Sequence, residues 1–292
     1  MEARERTPWA WGPAGVGMLF ALIGAAGVLN ALGGASGDSP LVAGAGFVGV
    51  VVAVVLAIWL YRRVIMRRIA RREPVELPAW PWWRPVLLGA AGGVAFMGVS
   101  ATIVSGLGGY SFSLAGGLSP AQWFELAGLV LSSSVLEELT FRGVALQAIE
   151  RGLGWAPALL ITAAFFGAAH LVNPGATWFG ALAIAIEAGL LLGAVFLATR
   201  SLWWVIGLHA AWNLTEALLG IPVSGQRAPS LLHAEVSGPD LLTGGDFGIE
   251  ASVVPMVIGV VVAAVTLVVA HRRGTLGPAF GRQVGAGPTP RS

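Results

Sequence analysis

Residues 121–149 read AQWFELAGLVLSSSVLEELTFRGVALQAI. The stretch is long and apolar enough to cross a membrane, which takes about 20 mostly apolar residues. Near its middle it carries Glu137, Glu138 and, one turn on, Arg142. A charge at the centre of such a helix costs roughly 2.5–3.5 kcal/mol on insertion scales. Charged groups persist there when they are paired, face a cavity or do chemistry. Reading this stretch as a functional membrane helix decides the fold class.

The rest of the chain agrees with that setting. Its 292 residues are 56% hydrophobic and 11% charged, with a mean hydropathy of +0.78. Soluble domains carry about 25% charged residues, so this composition is that of a polytopic membrane protein. Eight stretches qualify as spans: 12–34, 42–61, 86–107, 121–149, 155–172, 177–199, 201–220 and 251–271. The fourth is long enough to tilt or to extend past the membrane. Only the turn at Arg200-Ser201 separates the sixth from the seventh, so a fused or re-entrant pair would lower the count by one. The first apolar run, 8–37, is too long for a signal-peptide core of about 7–15 residues and follows a mixed-charge start, so it reads as a retained span.

Every basic residue is arginine, and the arginines alternate with the sides these spans imply. Arg62, Arg63, Arg67, Arg68, Arg71, Arg72 and Arg84 lie between spans two and three. Arg151 follows span four, Arg200 span six, and Arg272 and Arg273 span eight. The connections at 35–41, 108–120 and 173–176 have none, and 221–250 has only Arg227. By the positive-inside rule both termini are cytoplasmic. The expected fold is therefore all-α, a polytopic bundle of about eight transmembrane helices in the cell membrane. The connection 62–85, with Trp80, Trp82 and Trp83 beside its arginines, reads either as a topology anchor with an aromatic belt or as a site for anionic lipid headgroups. The Pro/Gly/Ser/Asp-rich stretch 221–250 reads as an outer, partly disordered loop, and 274–292 as a mobile tail. A net charge of +2 without a basic groove argues against a nucleic-acid partner. The absence of cysteine excludes disulfides, thiolate metal sites and a Cys nucleophile.

Two more polar clusters interrupt later spans: Phe166 with His170, and His209 with Asn213. Residues four apart share a helix face, which stacks Glu138 on Arg142, Phe166 on His170, and His209 on Asn213. At 1.5 Å per residue from the arginine-bearing ends, Glu137 lies roughly 21 Å deep, His170 about 22 Å, His209 roughly 13 Å and Asn213 about 19 Å. One shared cavity is geometrically allowed. Glu138 beside Arg142 is an intrahelical ion pair; Glu137, lacking such a neighbour, suits general-base work on water. A nearby histidine could hold or share the water's proton, and His209 and Asn213 offer donors to an oxyanion. Glu187 and Glu216 also fall in spans; Glu216 is expected near the outer interface.

The three pairs in this order, each in its own span, resemble the CAAX protease and bacteriocin-processing (CPBP, or Abi) intramembrane endopeptidases. Gly189, Gly193 and the run Thr199-Arg200-Ser201-Leu202-Trp203 add to the likeness, which covers roughly residues 120–220. The resemblance implies that Glu137 and His170 activate water, that His209 and Asn213 support the oxyanion, and that Glu138, Arg142 and Phe166 hold the site in shape. The family is commonly classed as metallopeptidase, and Glu137, His170 and His209 could form an open zinc site. Against that, the chain has no His-Glu-x-x-His, and asparagine is a poor zinc ligand. The expected organisation is an N-terminal membrane unit (1–119), a catalytic core (120–220), and an outer loop, last span and tail (221–292). The leading function is cleavage of a membrane-associated peptide or protein near the cytoplasmic side. A non-catalytic scaffold or bacteriocin-immunity-type protein, and a proton-coupled transporter, are the other readings.

Overall fold

A computed structural model of the chain describes residues 12–34 and 39–277. Helix α1 covers Gly12–Gly34, and α2 covers Pro40–Trp59, continuing in a wider π-helical segment, Leu60–Ile69. Helix α3 is Trp83–Gly106 and strand β1 is Tyr110–Leu114. Helix α4, Pro120–Glu138, starts at a reciprocal cap between Ser119 and Gln122. It runs on through a π-helical segment, Leu139–Leu146, into α5, Gln147–Leu153. Helix α6 is Trp155–Ala169. The next membrane-length rod is assembled from α7 (Trp178–Ile184), a π-helical segment (Ala185–Leu190) and α8 (Leu191–Thr199). Helix α9 is Leu202–Leu219, strand β2 Leu232–Val236, α10 the short turn Asp240–Thr243, and α11 Val253–Arg272.

Six helical stretches are long and apolar enough to cross a membrane: Gly12–Gly34, Pro40–Ile69, Trp83–Gly106, Trp155–Val172, Trp178–Thr199 and Val253–Arg272. Helices α4 and α9, counted among the eight expected spans, are not in that set. The reason lies in their composition: α4 carries Ser132, Ser133, Ser134, Glu137 and Glu138, and α9 carries His209, Asn213, Thr215 and Glu216. Both are enclosed by the apolar helices instead. Lipid-facing surface is visible in runs of exposed valine, such as Val48, Val52 and Val55 on α2 and Val257, Val261, Val265 and Val268 on α11. The chain is a multi-pass membrane protein.

The suspected fusion of spans six and seven does not occur. Arg200 ends α8 in a left-handed conformation (φ 50°), and Ser201 caps the first turn of α9. The all-helical expectation also needs correcting, because β1 and β2 pair antiparallel, Tyr110 opposite Val236 and Leu114 opposite Leu232. Nor is 221–250 a loose loop over its whole length: besides β2 it contains helical turns at Gly245–Phe247 and Ile249–Ala251 with Phe247 and Ile249 buried. The tail from residue 278 and the first eleven residues lie outside the described residues.

Contacts between connections sort them onto two ends. At one end Arg72 bonds Gln147, Arg200 bonds Glu150 and the carbonyls of Thr275 and Gly277, and Trp203 bonds the carbonyl of Pro78. Gly12 also meets Ala148 there. At the other end are the β1–β2 sheet, the bond from Tyr110 to the carbonyl of Thr243, the approach of Gly34 to Glu125, and that of Gly225 to Pro174.

Two helices central to the site touch backbone to backbone. A Cβ on Gly89 would lie 2.0 Å from the carbonyl oxygen of Trp204, and one on Gly93 2.2 Å from that of Leu208. Glycine at these positions of α3 lets α9 approach closely, the small-residue packing common between membrane helices. That contact fixes the helix bearing His209 and Asn213.

Candidate functional site

Helix α4 delivers Glu137 and Glu138 to different surroundings, being about 100° apart on its circumference. Glu138 is fully buried. Its Oε1 accepts from Arg142 Nη1 at 2.8 Å and meets His209 Nδ1 at 2.9 Å. Arg142 completes its set by donating Nη2 to the carbonyls of Ala188 (2.8 Å) and Gly189 (3.1 Å). This buried charge pair is therefore well satisfied on the arginine side, as such pairs must be. It ties the first motif to α9 and to the rod formed by α7 and α8.

Glu137, by contrast, is half-buried and makes no hydrogen bond among the described residues; its Oε2 is fully enclosed. It lies within electrostatic range of Arg142 and His209. It lines a cleft of about 400 Å³ together with Asn30, Glu125, Ser132, Ser133, Gln226 and Arg227, among others. Ser133 stands one helical turn before Glu137, and its Oγ accepts from Asn213 Nδ2 at 2.9 Å. The Asn213 Oδ1 is buried without a donor. Buried acceptors lacking protein partners are rare, and a carboxylate oxygen of this kind on a polar cleft is a place for a proton to arrive from water or substrate.

His170 ends α6. Its Nδ1 stands 2.7 Å from the carbonyl oxygen of Phe166. A carbonyl only accepts, so Nδ1 carries a proton, and in the neutral ring Nε2 presents a lone pair. His209 is held in the same way: with Nδ1–H given to the Glu138 carboxylate, its Nε2 can donate only in the imidazolium form. Phe166 is the hub that spaces these groups. Its ring lies 4.8 Å from the His170 ring, 6.3 Å from that of His209, 4.9 Å from that of Phe141 and 4.7 Å from the Arg142 guanidinium. The residues singled out by the three motifs are thus interlinked, Glu137 by the cleft and by charge rather than by a direct bond to an imidazole. Among the described residues, no group of three or more His, Asp and Glu side chains is arranged to hold a metal ion. The Glu137 carboxylate and the two Nε2 atoms are donors that zinc accepts, but they do not converge as a ligand set.

Two features were not foreseen. Ser133 was legible in principle, at the four-residue spacing from Glu137. Glu250, placed in a presumed loop, is buried; its Oε1 accepts from Trp212 Nε1 at 3.1 Å and its Oε2 from Ser224 Oγ at 2.5 Å. Asn173 bonds the carbonyl of Ser224, so this carboxylate latches the 221–250 connection between the second and third motifs. Burial pushes the Glu250 carboxyl above its usual range, partly offset by Ser224 and by the proximity of His170 and His209. Glu187 and Glu216 gather beside it. Glu216, in the last turn of α9, is completely buried.

The family model for Rce1-like type II CAAX prenyl endopeptidases matches residues 119–215, the segment holding all three motifs. The match is consistent with the CPBP family named by the motif resemblance. Comparison with curated proteins and with solved structures gives no match.

Proposed function

We propose that this chain is an intramembrane endopeptidase in which Glu137 and His170 activate a water molecule and His209 and Asn213 stabilise the resulting oxyanion. The observation that carries the reading is the unpartnered Glu137 carboxylate, lining a polar cleft beside the Ser133–Asn213 contact within the family-matched segment. Water between Glu137 and the His170 Nε2 lone pair gives up a proton to Glu137 as its oxygen attacks the peptide carbonyl. The carbonyl oxygen becomes an alkoxide, held by the free N–H of Asn213 and by the His209 imidazolium that Glu138 partners. As the C–N bond breaks, the proton passes from Glu137 to the leaving amine. Water is consumed, a carboxylic acid and an amine are released, and the side chains are restored. Donors aimed at the developing charge are commonly worth about 10²–10³ in rate each.

Glu138 and Arg142 act through position. In this reading α4 and α9 are the two remaining spans of eight, and both ends of the chain share the arginine-bearing side. Arg67 and Arg72 are engaged by Glu73 and Glu76, which leaves exposed Arg63 and Arg68 for anionic headgroups. The test is processing of a membrane-associated peptide substrate by purified protein. Glu137→Ala and His170→Ala should abolish it while monodispersity and thermal unfolding stay as in wild type. Normal processing by both variants would refute the assignment.

A further inference from the structure

We infer that the Glu137 cleft opens on the non-cytoplasmic face of the membrane and receives an extended, hydrophilic peptide strand from that side. This rests on the endopeptidase reading above and departs from the sequence-based expectation of cleavage near the cytoplasmic side.

The sidedness follows from where the walls of the cleft sit. Gly34 is the last residue of α1, Glu125 lies in the second turn of α4, and Gln226, Arg227 and Ala228 belong to the connection that carries β2. All are at the sheet-bearing end. Among the described residues, none from the arginine-bearing end lines the cleft. That opposite end holds Arg62, Arg63, Arg67, Arg68, Arg71, Arg72, Arg84, Arg151, Arg200, Arg272 and Arg273, drawn together by the bonds among residues 72, 147, 150, 200 and 275. Among the described residues the sheet-bearing end has one basic side chain, Arg227. An asymmetry this complete fixes orientation, the arginine-rich end staying in the cytoplasm. His170 agrees, since it terminates α6, which starts beside Arg151 and runs the whole way to the sheet-bearing end. Its depth of about 22 Å, counted from the cytoplasm, is the far end of a helix, not its middle.

The class of substrate follows from the lining. Asn30, Glu125, Ser132, Ser133, Gln226 and Arg227 give the passage polar groups along its length. An acyl or all-apolar chain would leave these groups without partners, whereas an extended peptide backbone supplies both N–H and C=O to them. The volume of about 400 Å³ admits a few residues of an unfolded strand, not a helix with its side chains, whose diameter is about 10–12 Å. A membrane-spanning helix would therefore have to unwind, while a hydrophilic segment displayed outside the cell could thread in directly.

The native chain has no cysteine, which makes the orientation directly measurable. Ser237→Cys, on the exposed end of the sheet, and Arg68→Cys, exposed at the other end, are placed in the full-length protein and expressed in cells. Sealed right-side-out and inside-out vesicles from those cells are treated with a membrane-impermeant maleimide. We expect Ser237→Cys to be labelled in the right-side-out vesicles and Arg68→Cys in the inside-out ones. The reverse pattern overturns the inference. The same two preparations, carrying the cysteine-free protein, are given a mixed pool of membrane-impermeant quenched peptides, with Glu137→Ala vesicles as background. Cleavage above background confined to right-side-out vesicles is the expected result. Cleavage confined to inside-out vesicles overturns it, as does cleavage seen only after detergent, which would mean lateral access from the bilayer. If detergent-solubilised wild type cleaves no peptide faster than Glu137→Ala, the endopeptidase reading itself falls and the peptide half of the inference with it. The maleimide pattern still decides which face the cleft opens on.

Discussion

The two adjacent glutamates separate chemistry from architecture at the scale of single residues. Among the described residues Glu137 has no hydrogen-bond partner to lose, whereas Glu138 is bonded to both Arg142 and His209 in the core. Glu137→Gln should therefore leave stability close to wild type and lower kcat by about 10²–10⁴-fold, the usual contribution of a general base. Glu138→Gln should lower both: removing the charge strands a buried guanidinium, and breaking such a pair costs about 3–5 kcal/mol. Thermal unfolding in detergent alongside peptide cleavage checks the contrast; equal destabilisation by the two variants would contradict it. The spacing of Glu138 to Arg142 and of His209 to Asn213 made this much readable in advance. The cross-helix bond from Glu138 to His209 was not readable, because no local periodicity reports which faces of α4 and α9 meet. Asn213 illustrates the same gap, since its partner Ser133 is 80 residues away.

Elements are held in register by backbone proximity and by the latch around Glu250. A methyl group on Gly93 would meet the carbonyl oxygen of Leu208 at 2.2 Å, one residue before His209. Gly93→Ala should force α3 and α9 apart, costing about 1–3 kcal/mol as overpacking does. Because that displacement moves His209 and Asn213, the oxyanion donors of the proposed mechanism, kcat should fall more than KM rises; a variant with unchanged kcat would show that the contact does not position α9. The Glu250 latch gives a pH signature. Burial raises its carboxyl pKa in the folded protein, so the folded state binds the proton more tightly than the unfolded chain. Its stabilising contribution is full below the unfolded value, about 4.3, and is lost as pH rises through the higher folded value. Glu250→Gln keeps a neutral group of the same shape, so unfolding temperatures measured from pH 5 upward should decline less than those of wild type. A steeper decline in the variant would reverse the sign and refute the assignment. None of this latch was visible in the sequence: Pro, Gly, Ser and Asp are turn-formers, and composition does not distinguish a loose loop from a tightly packed one.

Across the whole molecule, arginine gathers at one end of the bundle, where the positive-inside rule reads the cytoplasmic side, and also staples distant connections together. Placement of arginine along the chain was enough to sort the connections into two sets, and the contacts bring each set to its own end. Hydropathy sets α4 and α9 apart from the six membrane-length helices, because both give up apolarity to carry the candidate site. The staple role rests on carboxylates. Glu76 is buried and accepts from Tyr61 and from both terminal nitrogens of Arg72, which reaches on to Gln147 directly after the π-helical segment that follows Glu138. Orientation depends on basic residues and hardly on acidic ones, so the two roles can be pulled apart. Glu76→Ala should leave the Arg72 guanidinium without its carboxylate in a site only 12% exposed and lower stability by about 3 kcal/mol. Maleimide labelling at positions 68 and 237 should keep the sidedness of the parent protein. Loss of sidedness in this variant would mean that the ion pair, rather than the arginines themselves, sets how the bundle lies in the membrane.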